Sequence, residues 1–300
     1  MDFLQRVQGL IFEQIASLEN QIVNELAKHL HPGKMLRSKL VQKIAGESEQ
    51  SAKLCAVIEM IHAASLLHDD VIDDAMTRRG KQSVNAIFGN KHAIMFGDIL
   101  YSKGFSNLIE FDKKIAKKIA DAVTFLSVGE LLDVELAKEF NTNEQIYLDM
   151  IYKKTASLIE ASAYSAAVLA GKDEEKYGKY GKSLGVAFQM VDDILDITQD
   201  SATLGKPSMN DFVEGKVTIP YLKMFELLSD EDKNQLKSLF CKQLNEDESA
   251  WLKRKFTETN AVELAILEAK AVAAQGAMAI KDENNSDLEK IMMQMIEREF

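Results

Sequence analysis

Apolar residues recur three and four positions apart along most of the chain, beginning with Leu4, Val7, Leu10, Ile11, Ile15 and Leu18. That spacing puts one side of an α-helix against a core. Alternating apolar and polar runs of strand length are absent. Polar residues mark where helices start. Thr142 with Gln145, Asn260 with Glu263 and Ser286 with Glu289 have capping-box spacing, in which a short side chain accepts from a first-turn N–H. From Thr142 the pattern runs through IYLDMIYKKTASLIEASAYSAAVLA to Gly171, a residue type suited to the left-handed conformation that ends helices. One long, mostly buried helix is predicted there. Residues 199–220, QDSATLGKPSMNDFVEGKVTIP, contain Pro207, Pro220, Gly205 and Gly215 and break the periodicity. They predict a long ordered loop or lid. No linker rich in Pro, Gly or Ser divides the chain, so residues 1–300 read as a single all-α domain.

Composition supports that reading. Of 300 residues, 46% are hydrophobic and 28% charged, enough for a sizeable core. Three prolines and 15 glycines are too few for a many-stranded sandwich or barrel. The net charge of −11 disfavours nucleic acid as a partner. Cys55 and Cys241 lie far apart and in no metal spacing, which points to a reduced, cytoplasmic protein. No segment reaches the ~18 apolar residues of a membrane span, so a soluble chain without stable membrane insertion is expected.

Candidate chemistry begins with two acidic clusters, HDDVIDD at 68–74 and MVDDILD at 190–196. Positions i and i+4 share a helix face, so Asp69 pairs with Asp73 and Asp192 with Asp196, flanked by Asp70 and Asp193. A single acidic run is usually a solvated helix face. Here Leu66, Leu67, Val71 and Ile72 surround the first cluster, and Val186, Phe188, Ile194, Leu195 and Ile197 the second, which places carboxylates on core helices. Repelling carboxylates in a partly buried site call for a cation. With no His or Cys partner, Mg²⁺ suits them, an ion that leaves coordination positions for substrate phosphates. Basic residues follow: Arg78 and Arg79 after the first cluster, Lys154 in the long helix, Lys206 and Lys216 after the second. Lys34 and Arg37 in HPGKMLRSKL are expected on neighbouring helix positions just after a Pro-Gly start. Any one pair reads as surface charge. Together they indicate a metal-bridged diphosphate site.

In these motifs the sequence resembles the trans-isoprenyl (polyprenyl) diphosphate synthases. IHAASLLHDDVIDDAMTRRG (61–80) is similar to that family's first aspartate-rich region, and GVAFQMVDDILDITQD (185–200) with LGKPSMNDFVEGKVTIP (204–220) to its second region and lysine loop. The likeness runs from about residue 31 to 222 and is strongest to long-chain, octaprenyl-type bacterial enzymes. It implies an isoprenoid-synthase bundle of long, mostly antiparallel helices around a central substrate cavity. It also implies condensation of isopentenyl diphosphate with an allylic diphosphate, a homodimer, and about three Mg²⁺ ions with bound diphosphate. A supply of quinone side chains is a further implication. Asp69, Asp70, Asp73, Asp192 and Asp193 match metal ligands; Asp196 is counted with them but, like Asp74 and Asp200, fits that role less well. Arg78, Lys154, Lys206 and Lys216 match the allylic diphosphate site. Lys34, Arg37, His62 and Arg79 match the isopentenyl diphosphate pocket, and Thr155 and Gln189 match residues near the developing cation.

Some residues admit two readings. His62 fits a hydrogen-bonded core histidine as well as a ligand, and Thr155 and Gln189 also suit capping of helix carbonyls. Where the family usually reads Gly-Gly-Lys-Arg-x-Arg-Pro, this chain has Pro32-Gly33-Lys34-Met35-Leu36-Arg37-Ser38, keeping both charges but altering the backbone around them. A class I terpene cyclase would leave Lys34, Arg37 and Arg79 without a role. A silent regulatory subunit would not need both clusters complete. Small Ala64 and Ser65, one turn before Asp69, leave the chain's path open and favour a hexaprenyl to octaprenyl product. Met60, Ile61 and Val57 farther along keep a geranylgeranyl or farnesyl product as the alternative.

Overall fold

The computed structural model describes residues 2–199, 209–283 and 285–297. They form the helices α1 (Phe3–Ala16), α2 (Gln21–Ala27), α3 (Leu36–Ala45), α4 (Glu49–Ile72), α5 (Val84–Phe88), α6 (Asn90–Leu108) and α7 (Lys113–Leu136). After these come α8 (Glu144–Ile151), a π-helical turn (Tyr152–Ala156), α9 (Ser157–Ala170) and α10 (Glu174–Thr198). Beyond residue 208 lie α11 (Asn210–Val213), α12 (Ile219–Leu227), α13 (Asp230–Leu239), α14 (Glu246–Thr259), α15 (Ala261–Ala279) and α16 (Ser286–Ile296). The fold is all-α; among the described residues the one sheet is a hairpin of β1 (Thr77–Arg78) and β2 (Lys81–Gln82). No helix of the described residues is long and apolar enough to cross a membrane.

Two compact units emerge. The first comprises residues 1–124 and 158–178, the second 125–157 and 179–300. In the first, α4 is the central helix, with Leu54, Ile58, Met60, Ile61 and Ala64 fully buried, and α1, α3 and α6 pack against it. Two glycines bring α6 close. A Cβ on Gly104 would meet Ile61 at 3.2 Å, and one on Gly97 would fall 2.4 Å from Nε2 of His68. The predicted first helix forms with Val7 and Ile15 buried, but it stops at Ala16, so Leu18 lies beyond it and is exposed.

In the second unit an aromatic cluster fixes the segment after α10. Phe212, fully buried, stacks on Tyr221 with ring centroids 4.4 Å apart, and Phe140 and Phe240 meet it edge-on. The small residues Ala265, Ala269 and Ala273 form the buried side of α15, against which α12 packs.

Helix starts fall near the predicted points but use other caps. Asn143, not Thr142, accepts from the N–H groups of Gln145 and Ile146 at the start of α8. Asn285, not Ser286, caps α16. Asn260 adopts the left-handed conformation that closes α14 and makes no side-chain cap to α15. Each difference follows from adjacent polar residues competing for one role. The long helix ends before Gly171 (φ +66°), as predicted, with a π turn inside it that periodicity does not reveal. Of the predicted loop, residues 199 and 209–220 are described; they include the short helix α11, and Ile219 and Pro220 already belong to α12.

Phe212→Ala removes the centre of the aromatic cluster and is expected to cost about 3–5 kcal/mol, the range for deleting a buried phenyl ring. Denaturant unfolding of the two proteins checks this, and a loss below about 1 kcal/mol would mean the cluster is not needed to hold α11.

Candidate active site

In the first unit the carboxylates sit at the C-terminal end of α4. Asp73 is its C-cap and Asp74 follows in the left-handed conformation (φ +49°). The N–H of Ala75 reaches the carbonyl of Asp70 (2.9 Å) and that of Asp74 the carbonyl of Val71 (3.4 Å). This is a Schellman turn with aspartate where glycine is favoured. Asp69 is half-buried, Asp70 buried and Asp73 exposed. Asp70 Oδ1 accepts from Nε and Nη2 of Arg78 at 2.6 and 2.5 Å. The hairpin supplies this arginine, pairing Thr77 with Gln82 and Arg78 with Lys81. Its turn is Arg79 (φ +55°) and Gly80 (φ +73°), a left-handed pair that matches strand twist.

Arg79 donates through Nη1 to the carbonyl of His31 and lies over Gly33, where a Cβ would fall 2.4 Å from Nη2. Gly33 therefore makes room for a guanidinium. Helix α3 begins only at Leu36, after a left-handed Met35, so Lys34 precedes the helix and is exposed. The two do not share a helix face as expected, because Met35 turns the chain between them; Arg37 alone is in the first turn. Burial pushes the Arg37 guanidinium down to about 10, with Glu59 opposing and Arg79 adding to the shift. His62 is driven well below its ordinary value by burial and by Arg37, Arg79 and Arg78, which keeps the imidazole neutral. Nε of Arg37 is buried without a hydrogen-bond partner. Three arginines around a neutral histidine make a place for an anion.

In the second unit the π turn carries Lys153, Lys154 and Thr155. Such turns re-aim side chains within a helix and are frequent at functional sites. Glycines admit it on two sides. A Cβ on Gly129 of α7 would fall 2.2 Å from the backbone nitrogen of Lys154, and one on Gly185 of α10 would fall 2.5 Å from Cα of Ala156. Lys154 Nζ pairs with Asp133 at 2.5 Å and Glu130 at 2.9 Å, two buried carboxylates of α7. Burial lowers the affinity of Lys154 for its proton, but Asp133 and Glu130 outweigh this and the net shift is upward, so the ammonium stays charged.

Thr155 Oγ1 donates to Gln189 Oε1 at 2.9 Å, Gln189 Nε2 donates to Asp193 Oδ1 at 2.9 Å, and Tyr147 donates to Asp193 Oδ2 at 2.6 Å. Thr155 and Gln189 thus bond each other in addition to any capping role. Burial raises the Asp193 carboxyl well above its ordinary value, with Asp211 and Asp192 adding to the shift and the bonds from Tyr147 and Gln189 opposing it. Asp196 is buried and accepts from the N–H of Asp211 at 3.2 Å, tying α11 to α10. A cavity is lined by Asp133, Tyr147, Lys154, Thr155, Asp193 and Lys216, together with Gln189 and Asp211. Lys216 also pairs with Glu214 at 3.1 Å.

Lys206 lies outside the described residues, as does Asp200. Within the first unit Arg37, Arg78 and Arg79 surround His62, and Arg78 reaches Asp70; within the second Lys154, Thr155, Gln189, Asp193 and Lys216 line one cavity. Ala64 is fully buried, and half-buried Ser65 folds its hydroxyl onto the carbonyl of His62 (2.9 Å). Among the described residues no three His, Cys, Asp or Glu side chains converge tightly enough to hold an ion by themselves. Sequence reasoning missed Glu130, Asp133, Tyr147 and Asp211. The i, i+3 spacing of Glu130 and Asp133 beside Gly129, on an otherwise apolar stretch of helix, was the available signal for two of them.

Helices ending in aspartate clusters, with arginines and a helical lysine beside them, define a class of diphosphate-binding all-α enzyme. Residues 20–258 match the family model described as polyprenyl synthetase. The short chain isoprenyl diphosphate synthase of Methanothermobacter thermautotrophicus is 34% identical over 257 residues, 80% of this chain and 79% of that protein. Octaprenyl diphosphate synthase of Escherichia coli is 36% identical over 226 residues, 72% of this chain and 70% of that one. The crystal structure of octaprenyl pyrophosphate synthase from Helicobacter pylori superposes with a TM-score of 0.94 at 42% identity, covering 99% of this chain and 100% of that one. The chain belongs to the polyprenyl synthetase family and is a prenyltransferase.

The Asp193 environment gives a test. Its folded carboxyl binds a proton more tightly than the unfolded one, with an ordinary value of 3.8. Ionisation therefore costs stability as pH rises above that range. In buffer without divalent ions Asp193→Asn is expected to melt above the parent protein at pH 7–8, with the gap closing as pH falls towards 4. A parent that melts higher at every pH would show that the carboxylate is not disfavoured there.

Proposed function

We propose that this prenyltransferase condenses isopentenyl diphosphate with an allylic diphosphate to make a long-chain product, hexaprenyl to octaprenyl diphosphate. The grouping of Lys154, Thr155, Gln189 and Asp193 around one cavity supports this most directly. A charged lysine, two polar dipoles and a carboxylate side by side suit a diphosphate and a developing allylic cation. The family model runs through both compact units, which supports reading residues 1–300 as one synthase unit.

Mg²⁺ fits the donor set. The aspartates of both clusters offer only carboxylate oxygens, His68 beside the first being turned to the carbonyl of Ile94 (3.1 Å), and Asp193 is buried among like charges that a divalent cation would relieve. Asp69, Asp70 and Asp73 at the end of α4, and Asp192 and Asp193 with Asp196 in α10, would hold about three ions with the diphosphate. When bound, Mg²⁺ supplies neutralisation of charge on the leaving diphosphate. Arg78, Lys154, Lys206 and Lys216 grip the allylic diphosphate. Arg78 is oriented for this by its two bonds to Oδ1 of Asp70. Lys34, Arg37, His62 and Arg79 hold isopentenyl diphosphate, with His62 a neutral hydrogen-bond partner between arginines. The allylic carbon–oxygen bond breaks to release diphosphate and leave an allylic cation, the isopentenyl double bond attacks that cation to form the new carbon–carbon bond, and the proton then lost from the isopentenyl unit passes to the released diphosphate; Thr155 and Gln189 keep polar oxygens near the allylic carbons meanwhile.

Small side chains support the long product. Ala64 and Ser65 are small, so neither blocks a growing chain near Asp69, whereas the buried Val57, Met60 and Ile61 farther along the same helix are the residues that could close the path. A geranylgeranyl or shorter product is the alternative outcome. Exposed Ile87, Ile94, Met95 and Phe105 on α5 and α6 support a homodimer in solution, which light scattering at micromolar concentration checks. Unpaired Cys55 and Cys241 fit a cytoplasmic enzyme.

Chromatography of products from labelled isopentenyl diphosphate, Mg²⁺ and primers of several lengths is the direct test. Turnover is expected to need Mg²⁺ and to fall by several orders of magnitude in Asp69→Ala and Asp192→Ala, each still folded. Near-normal turnover in either would remove the metal role from that cluster. Arg37→Ala should raise KM for isopentenyl diphosphate more than for the primer. Ala64→Tyr should shorten the products while sparing the first condensation, and an unchanged distribution would place the chain-length path elsewhere.

A further inference from the structure

Helix α4 ends where three carboxylates gather, and a helix C-terminus already carries partial negative charge. Something must hold that turn closed. Its Schellman bonds come from Ala75 and Asp74, but Asp74 occupies a left-handed position that favours glycine. The extra donor comes from Asn85, the second residue of α5. Its Nδ2 donates to the carbonyls of Asp70 (3.1 Å) and Ala75 (3.0 Å). Ser83, the N-cap of α5, donates its hydroxyl to the same Ala75 carbonyl at 2.6 Å. Asn85 is nine-tenths buried, and its Oδ1 is enclosed without a hydrogen-bond partner. A side chain held at that cost is there for its two donations.

We propose that Asn85 is a positioning residue for the metal-binding carboxylates of α4: its amide clamps the Asp70 and Ala75 carbonyls and so sets where Asp69 and Asp73 stand. The inference rests on the reading of these aspartates as Mg²⁺ ligands. Asn85 touches neither substrate nor ion. Its amide fixes the backbone from which the carboxylates project, and outer groups of this kind change metal affinity by about 10–100-fold.

The test compares the full-length protein with Asn85→Ala in Mg²⁺ titrations of condensation at saturating substrates, alongside KM for isopentenyl diphosphate. The half-saturating Mg²⁺ concentration should rise about tenfold while that KM stays within about twofold. A packing role alone would lower the melting temperature and turnover without moving the Mg²⁺ dependence, and that result overturns the proposal. Hydrogen exchange of the peptide spanning residues 69–76, read without substrate, should be faster in Asn85→Ala; unchanged exchange overturns the clamp whether or not the parent enzyme is active. If Asn85→Ala does not fold, Ser83→Ala, which removes one bond to the same carbonyl, should give smaller shifts in both measurements, and no shift in either rejects the clamp. A parent protein that makes no prenyl product while the exchange difference persists would count against the assigned activity and leave the clamp standing.

Discussion

Negative charge placed where a helix is already negative is the constraint on which both compact units are organised. At the end of α4, Asp70 and Asp73 add to the carbonyl field of the last turn, and in α10 Asp196 does the same beyond Asp192 and Asp193. A chain selected only for stability would put lysine or arginine at those positions. Instead the surroundings supply the compensation: Arg78 bonds Asp70 twice, the amide of Asn85 takes the Asp70 carbonyl, and the N–H of Asp211 takes Asp196. Among the described residues Asp193 has Tyr147 and Gln189 for this purpose, and they do not offset its burial. The compensation in α10 is therefore incomplete where that in α4 is not.

Rigid backbone approach is the second device. The π turn at Tyr152–Ala156 shifts Lys154 and Thr155 relative to a regular helix, and it fits only because α7 and α10 present glycine to it at Gly129 and Gly185. A methyl group at either would force backbone atoms apart, so the direction of the lysine is set by two residues that carry no side chain. The same logic holds for Gly33 beneath Arg79 and Gly97 against His68. These positions carry function through what they lack.

The architecture was legible because helical periodicity is a local property, and the aspartate clusters because four-residue spacing on a helix needs no tertiary information. What escaped depended on contacts between distant parts of the chain. Tyr147 and Asp193 are 46 positions apart, Lys154 and Asp133 are 21 apart, and no spacing rule joins them. The π turn has no composition of its own. Capping was read one residue off at Asn143 and Asn285 because neighbouring polar side chains are equivalent until the backbone direction is known. Lys34 and Arg37 were placed on one helix because nothing in the sequence marks Met35 as left-handed.

Charge state separates the basic regions of the two units chemically. In the first unit burial lowers both Arg37 and His62, yet with opposite consequences at neutral pH: a guanidinium near 10 keeps its proton, whereas the imidazole loses it. That combination gives fixed positive forks with a neutral donor or acceptor between them, and its charge is insensitive to pH across the physiological range. In the second unit Lys154 begins paired with Asp133 and Glu130, so an arriving diphosphate competes with two buried carboxylates for one ammonium. The first unit is not free of internal pairs either, since Arg78 begins bonded to Asp70. Two carboxylates share the one ammonium of Lys154, whereas in the first unit Nε of Arg37 is buried with no hydrogen-bond partner among the described residues, so an anion that enters there can gain a donor without breaking a pair.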